Sequence, residues 1–197
     1  MKLLLASASK ARQQMLSNGG FPFEVKPADI DEETIKQVHL GSDSEPHELP
    51  MKLAHVKACS ISSCHQDDIV IGSDQILICN GQVFSKVTNL KAATMQLRAL
   101  QGRDHELMSA VTVYQNRVCL FEYSETAVLR MHHMSDEEIG KYLALVGSKI
   151  LGSVGCYQIE AEGVQLFENI QGSYFTIMGM PLIPLLGFLR KSARDLT

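Results

Sequence analysis

The chain has 197 residues, and 45% of them are hydrophobic, which is enough to fill the core of one domain. Its 18 lysines and arginines are outnumbered by 22 aspartates and glutamates, so the net charge is -4. This balance argues against a broad basic surface for nucleic acid, and a nucleotide would have to be held by a few local cations. We therefore predict a single domain over residues 1–197 that has no nucleic-acid partner.

The first elements in the chain predict a strand, a turn and a helix. Residues 2–6 (KLLLA) are apolar, and KARQQML supplies good helix formers that end near Asn18-Gly19-Gly20. The three leucines are too few for a signal peptide, whose apolar region needs roughly 7 to 15 residues. A second strand is predicted at 21–25. Loops are predicted for the acidic segment that follows and for 36–45.

The middle of the chain predicts a helix, a long strand and a hairpin. An apolar stripe runs along residues 46–62, and 68–79 is continuously apolar, as in a strand covered on both faces. Asn80-Gly81 is a hairpin-turn signal, and QVFSK returns as a short partner strand. A helix is then predicted from Asn89 to Gly102.

The last third predicts two antiparallel strands and two helices. Residues 106–114 and 118–131 alternate around a short turn, and a capping box at Ser135 opens a helix that reaches Gly147. The final helix is predicted at 182–191. The apolar run around it contains two prolines and is shorter than the roughly 18 residues of a membrane span, so we expect core burial and no membrane segment.

The cysteines give little support for a metal centre. There are five, and none forms C-x-x-C. Cys59, Cys64 and His65 lie close together in sequence, but a structural zinc site needs about four ligands and no second pair is evident. Reduced thiols in a cytoplasmic protein agree with this pattern.

The turn after the first strand is a candidate phosphate site. Ser7 and Ser9 precede a helix, whose free backbone N–H groups and positive dipole end suit an anion. Arg12 follows one turn into the helix. An ordinary solvated arginine is the alternative interpretation, because turns of this kind are common.

Asp74 is the strongest candidate for chemistry. It interrupts the apolar run IVIGSDQILIC, and a carboxylate there needs an ion pair, hydrogen bonds or a metal. Lys86 returns after the hairpin, so a structural ion pair between the two is one interpretation. General-base work or metal binding by Asp74 is the other. If the acidic segment 29–33 folds toward Asp74, it would add the oxygen ligands that Mg²⁺ or Mn²⁺ prefers.

Taken together, these motifs resemble the Maf family of nucleoside triphosphate pyrophosphatases along nearly the whole chain. LASASKARQQML at residues 5–16 is similar to the family's L-A-S-x-S-P-R-R-x-E-L-L, and GSYFTIMGMPLIPLL is similar to its closing signature. Five further positions match the family's acidic pair, helix lysine, catalytic aspartate and hairpin lysine: Asp31, Glu32, Lys57, Asp74 and Lys86.

The resemblance implies an α/β fold, an elongated mixed β-sheet flanked by helices with a central cleft. It implies hydrolysis of a nucleoside triphosphate to the monophosphate and pyrophosphate, a divalent metal (Mg²⁺ or Mn²⁺) and a homodimer. Asp74 would be the general base and would hold the metal with Asp31 and Glu32. The phosphate contacts would come from Ser7, Ser9, Arg12, Lys57 and Lys86.

Two sets of positions bear on activity and specificity. Lys10, Ala11 and Gln14 depart from the family pattern, which leaves open a catalytically weakened nucleotide-binding regulator linked to septum formation. Gln75 and Glu160 match the branch that is similar to 7-methyl-GTP pyrophosphatase, whereas the branch that takes dTTP and UTP has Thr and Gln there. A carboxylate at Glu160 would favour the positively charged 7-methylguanine, unless it is simply an exposed loop residue.

Overall fold

The computed structural model describes residues 1–192, which fall into two compact units. Unit one comprises Met1–Gln75, Met108–Glu125 and the described residues from Ser173 onward. Unit two comprises Ile76–Leu107 and Thr126–Gly172. The single domain over residues 1–197 stays a prediction.

The mixed α/β class predicted from the sequence is confirmed. The described α-helices are α1 (Lys10–Asn18), α2 (Glu32–Leu40), α3 (Leu49–Ser62), α4 (Leu90–Leu100), α5 (Asp136–Val146), α6 (Tyr174–Ile177) and α7 (Leu182–Ser192). The described strands are β1 (Leu3–Leu5), β2 (Glu24–Val25), β3 (Ile69–Cys79), β4 (Gln82–Phe84), β5 (Asp104–Gln115), β6 (Val118–Met131) and β7 (Phe167–Gln171). Short 3₁₀ turns lie at Pro46–Glu48, Gly147–Gly152 and Glu162–Leu166.

The strands form one mixed sheet in the order β2-β1-β3-β5-β6-β7, and β4 pairs with β3. β1 runs parallel to both β2 and β3. β4 is antiparallel to β3, with Leu77 opposite Phe84, and β7 is antiparallel to β6. Parallel strands need a helical crossover between them, which α1 and α3 supply in unit one.

The core of unit one explains why β1 and the start of β3 read as continuous apolar runs. Leu3 and Leu5 belong to a buried cluster that includes residues of α1 and α7. Leu4 faces the other way and packs in a second cluster with Ala58 of α3. Because alternate side chains point to opposite faces, a strand covered on both faces is apolar at every position. The C-terminal apolar run is likewise core. In the described part of the chain, no helix is both long enough and apolar enough to span a membrane.

The loop predicted for residues 36–45 is wrong in its first half, because α2 extends to Leu40. The Asp31 carboxylate caps this helix by accepting a hydrogen bond of 3.0 Å from the backbone N–H of Thr34. Most α2 side chains are exposed or half-buried, and His39 is the buried one. A helix with so small a buried stripe carries little apolar periodicity in its sequence.

His105 is an unusual buried residue in unit two. Its ring is 2% exposed and packs against Tyr157 and Phe167, and its Nε2 lies 2.7 Å from the Tyr157 hydroxyl. Within residues 1–192, its Nδ1 is the one buried side-chain nitrogen or oxygen that has no hydrogen-bond partner. Burial disfavours the cationic ring and lowers the pKa of His105 from 6.5 to about 4.

Acid should therefore destabilise unit two through His105. Below pH 6.5 the unfolded chain takes up a proton that the folded protein accepts only near pH 4. The free energy of unfolding should thus fall by about 3 kcal/mol between pH 7 and pH 4 from this residue. Urea unfolding at several pH values measures the loss. His105→Gln should flatten that part of the profile, while His132→Gln, an exposed control, should not. An unchanged slope in His105→Gln would remove His105 as the cause.

Candidate active site

Asp74 lies in the middle of β3 and is only 6% exposed. Its Oδ1 is 2.5 Å from the Nζ of Lys57 on α3, and the same Nζ is 2.9 Å from the Oε1 of Glu32 on α2. One buried ammonium thus sits against two carboxylates. Lys57 supplies the partner that a buried carboxylate requires, while the ion pair with Lys86, one interpretation of the sequence, stays a prediction. The hypothesis that the acidic segment folds toward Asp74 holds for Glu32.

Gly72 explains why Lys57 reaches Asp74. A Cβ at position 72 would lie 2.2 Å from the carbonyl oxygen of Ala54 and 2.8 Å from the Cβ of Ala58. Only glycine allows α3 to approach the strand backbone this closely. Asp74 is two residues further on and faces the same side of the sheet, so its carboxylate meets the next lysine along the helix.

Arg12 is buried, and it joins three segments of unit one. Its Nε donates to the carbonyl of Gly179 at 2.8 Å, and its Nη1 donates to the carbonyl of Ser73 at 2.8 Å and to the Ser7 Oγ at 3.2 Å. Burial lowers the pKa of Arg12, whereas the nearby Asp74 and Glu32 carboxylates oppose that shift. The alternative of a solvated helix arginine is therefore wrong.

The two serines of the turn have separate tasks. Ser9 is the N-cap of α1, and its Oγ accepts a hydrogen bond from the backbone N–H of Arg12. The Ser7 Oγ accepts from the Ser9 N–H at 3.3 Å as well as from Arg12. The turn is thus held in place by its own side chains, next to the strand that carries Asp74. The phosphate contacts of Ser7, Ser9 and Arg12 stay predictions.

Replacing Arg12 with lysine should disturb this junction. A lysine cannot reproduce the fork of N–H groups that reaches Gly179 and Ser73, so a buried carbonyl loses its donor. We expect the free energy of unfolding to fall by about 2 kcal/mol. Arg98→Lys is the matched control, because Arg98 forms an exposed ion pair with Asp136 and should lose no more than about 0.5 kcal/mol. Equal losses in the two variants would contradict a special role for Arg12.

Gln75 holds the segment before α7 against the sheet. Its Nε2 donates to the carbonyls of Thr176 and Ile177 at 2.8 and 3.0 Å, and it lies 3.2 Å from the Ser109 Oγ. The Thr176 hydroxyl in turn donates to the carboxylate of Glu125. The Gln75 amide N–H groups are therefore engaged within the protein. Recognition of the nucleotide base by Gln75 stays a prediction, and it would use the side-chain carbonyl oxygen of Gln75.

Three further predicted residues have no described contact with Asp74. Asp31 caps α2, so its carboxylate is engaged by Thr34. Lys86 is exposed and follows β4 in unit two, and Glu160 is exposed in a turn of unit two. The exposed Glu160 agrees with the loop alternative. The roles predicted for these three residues stay predictions.

Sequence reasoning missed the residues that hold the site together. Gly179 has a φ of 107°, and its carbonyl accepts hydrogen bonds from both Arg12 and Ser73. The available signal was the sequence Gly179-Met180-Pro181, because a glycine next to a proline is typical of a turn. Ser109 and Glu125 gave no signal, because polar residues on sheet strands are ordinary and their partners are distant in sequence.

The profile of the Maf-like protein family matches residues 2–192. The chain belongs to the Maf family. It is 45% identical over 191 residues to a nucleoside triphosphate pyrophosphatase of Granulibacter bethesdensis, covering 97% of each chain. It is also 42% identical to a 7-methyl-GTP pyrophosphatase of Rhizobium meliloti, covering 96% of this chain and 95% of that one. The Maf relatives thus carry two substrate names at similar identity.

Proposed function

We propose that this chain hydrolyses a nucleoside triphosphate to the monophosphate and pyrophosphate. The observation that carries the proposal is the buried Lys57 ammonium held between Asp74 and Glu32. A structural ion pair would need one carboxylate, whereas two carboxylates on one cation next to a serine turn suit phosphate chemistry. Maf relatives named as pyrophosphatases support the same reaction.

The contacts suggest how Asp74 becomes a base. A triphosphate competes with the two carboxylates for the Lys57 ammonium, and loss of that contact frees the Asp74 carboxylate to take a proton. The water oxygen then bonds to the α-phosphorus, the bond from that phosphorus to the bridging oxygen breaks, and pyrophosphate leaves. Arg12 keeps the Asp74 strand and the Gly179 turn in register through its bonds to both.

The oxygen donors of Glu32 and Asp74 fit a hard divalent cation, because both lie within hydrogen-bond distance of one cationic nitrogen. We propose that they hold Mg²⁺ or Mn²⁺, with Asp31 as a third ligand after a change at the start of α2. When bound, the ion neutralises charge on the phosphate oxygens. The homodimer and the cytoplasmic location stay predictions.

For the base we propose a purine, with 7-methyl-GTP preferred. Gln75 and Glu160 match that branch of the Maf family in sequence, and the Glu160 carboxylate is exposed, as a group that attracts a cationic base must be. The regulator without catalysis is not favoured, because relatives of 41–47% identity are named as pyrophosphatases.

A substrate panel tests reaction and base together. Purified protein with Mg²⁺ is given dTTP, UTP, GTP, dITP and 7-methyl-GTP, and pyrophosphate and orthophosphate are measured separately. We expect pyrophosphate as the product, with the highest kcat/KM for 7-methyl-GTP. In Glu160→Gln, the preference for 7-methyl-GTP over GTP should be smaller. Orthophosphate as the main product would refute the reaction. Equal kcat/KM for GTP and 7-methyl-GTP would refute the base preference alone.

A further inference from the structure

A group of potential metal ligands lies on another face of α3 in unit one. It consists of His55 on α3 and of Cys119 and Glu122 on β6. In residues 1–192, these are the one set of three or more histidine, cysteine or carboxylate ligand atoms that lie within 4.8 Å of one another. His55 and Lys57 are two positions apart on the helix and so point in different directions. We propose that this group is a Zn²⁺ site distinct from the Asp74 carboxylate.

Both ring nitrogens of His55 have a polar neighbour, in an arrangement that a metal-binding histidine can use. Its Nδ1 lies 2.9 Å from the Tyr114 hydroxyl, and its Nε2 lies 3.0 Å from the Oε2 of Glu122. When Nδ1–H donates to Tyr114, Nε2 presents a lone pair to the carboxylate. In that tautomer a cation between the two acceptors would be bound by both; in the other tautomer Nε2–H donates to Glu122, and the metal ion takes the place of that proton. A hydrogen bond from the second ring nitrogen is how metal-binding histidines are usually fixed.

The spacing of the ligand atoms suits a tetrahedral ion. Zinc bonds of about 2.0 to 2.3 Å place a nitrogen and an oxygen ligand about 3.4 Å apart, and a sulfur and an oxygen ligand about 3.6 Å apart. The observed distances are 3.0 Å from His55 to Glu122 and 4.0 Å from the Cys119 Sγ to the same Oε2. Rotations of exposed side chains can supply the difference of a few tenths of an ångström.

The ligand types select the metal. Imidazole and thiolate favour zinc and similar transition metals, whereas Mg²⁺ prefers oxygen alone. Cys119 and Glu122 are exposed, so an ion can reach them from solvent. Three protein ligands leave a fourth position for water, which is typical of an exchangeable site. The ion would also link α3 to β6 and so stabilise the unit that carries Lys57.

Cobalt titration tests the site without relying on catalysis. The full-length protein, stripped with a chelator and kept reduced, is titrated with Co²⁺, and thiolate-to-metal charge-transfer absorption is recorded in the near ultraviolet. We expect the charge-transfer band to saturate with one equivalent of Co²⁺, Zn²⁺ to abolish it, and excess Mg²⁺ to leave it unchanged. Added Zn²⁺ should also raise the melting temperature by several degrees.

Variants locate the ligands. Cys119→Ser should abolish the charge-transfer band and the melting shift, and Glu122→Gln should weaken binding by at least about tenfold. Cys64→Ser is the matched control, since Cys64 is also exposed, and should behave as the parent protein. Asp74→Asn should keep the band. A band that survives Cys119→Ser, a band lost in Cys64→Ser, or no charge-transfer band in the parent protein would overturn the proposal.

Discussion

Replacing Asp74 with asparagine should lower kcat for pyrophosphate release by about a thousandfold. The amide keeps the size of the side chain but cannot accept a proton from water, and general-base catalysis contributes about 10² to 10⁴ in rate. The fold should survive, because Lys57 keeps its contact with Glu32 at 2.9 Å. Turnover is measured as pyrophosphate released from the best substrate of the panel at saturating Mg²⁺.

Two measurements make the Asp74 result specific. Asp67→Asn removes the same charge from an exposed turn in the same unit and should leave kcat unchanged. The melting temperature of each variant separates lost chemistry from lost structure. If folded Asp74→Asn protein turned over within a few-fold of the parent, Asp74 would not be the base.

Replacing Gly72 with alanine should destabilise unit one by about 3 kcal/mol and impair hydrolysis at the same time. The new Cβ would lie 2.2 Å from the Ala54 carbonyl oxygen, which is backbone and cannot swing aside. Helix α3 must therefore move away from β3 and take Lys57 with it. Denaturant unfolding measures the first effect, and pyrophosphate release measures the second.

Gly140→Ala is the matched control for Gly72. Position 140 lies on the exposed side of α5, and a Cβ there meets nothing within 4 Å. Alanine should stabilise that helix by about 0.5 to 1 kcal/mol, because glycine is the poorer helix former. A Gly72→Ala protein that matched the parent in stability would show that α3 can adjust without cost.

The sequence was most informative where burial and local chemistry agree. The strand at 68–79, the Asn80-Gly81 hairpin and the Ser135 capping box were all predicted, because each depends on neighbours in the sequence. Asp74 was also predicted, since a charge inside a buried strand needs a reason. The Maf resemblance then connected these features in order.

What could not be predicted depends on contacts between distant segments. Asp74 pairs with Lys57 because α3 approaches β3 closely at Gly72. No local sequence pattern predicts how closely a helix packs against a strand. The same holds for Arg12, whose acceptors at Ser73 and Gly179 lie 61 and 167 residues away. Helix α2 was missed for another reason: it buries so little apolar surface that its sequence shows no clear helical periodicity of apolar residues.

The hydrogen bonds of Gln75 limit which residues can replace it. Its amide donates to the carbonyls of Thr176 and Ile177, and a shorter side chain such as threonine could not reach both. Such an exchange would remove the Gln75 donor from the Ile177 carbonyl, whereas the Thr176 carbonyl would keep its 2.8 Å hydrogen bond from the Ser109 hydroxyl. A change at position 75 therefore calls for a second change near the 176–177 segment, so that the Ile177 carbonyl regains a donor.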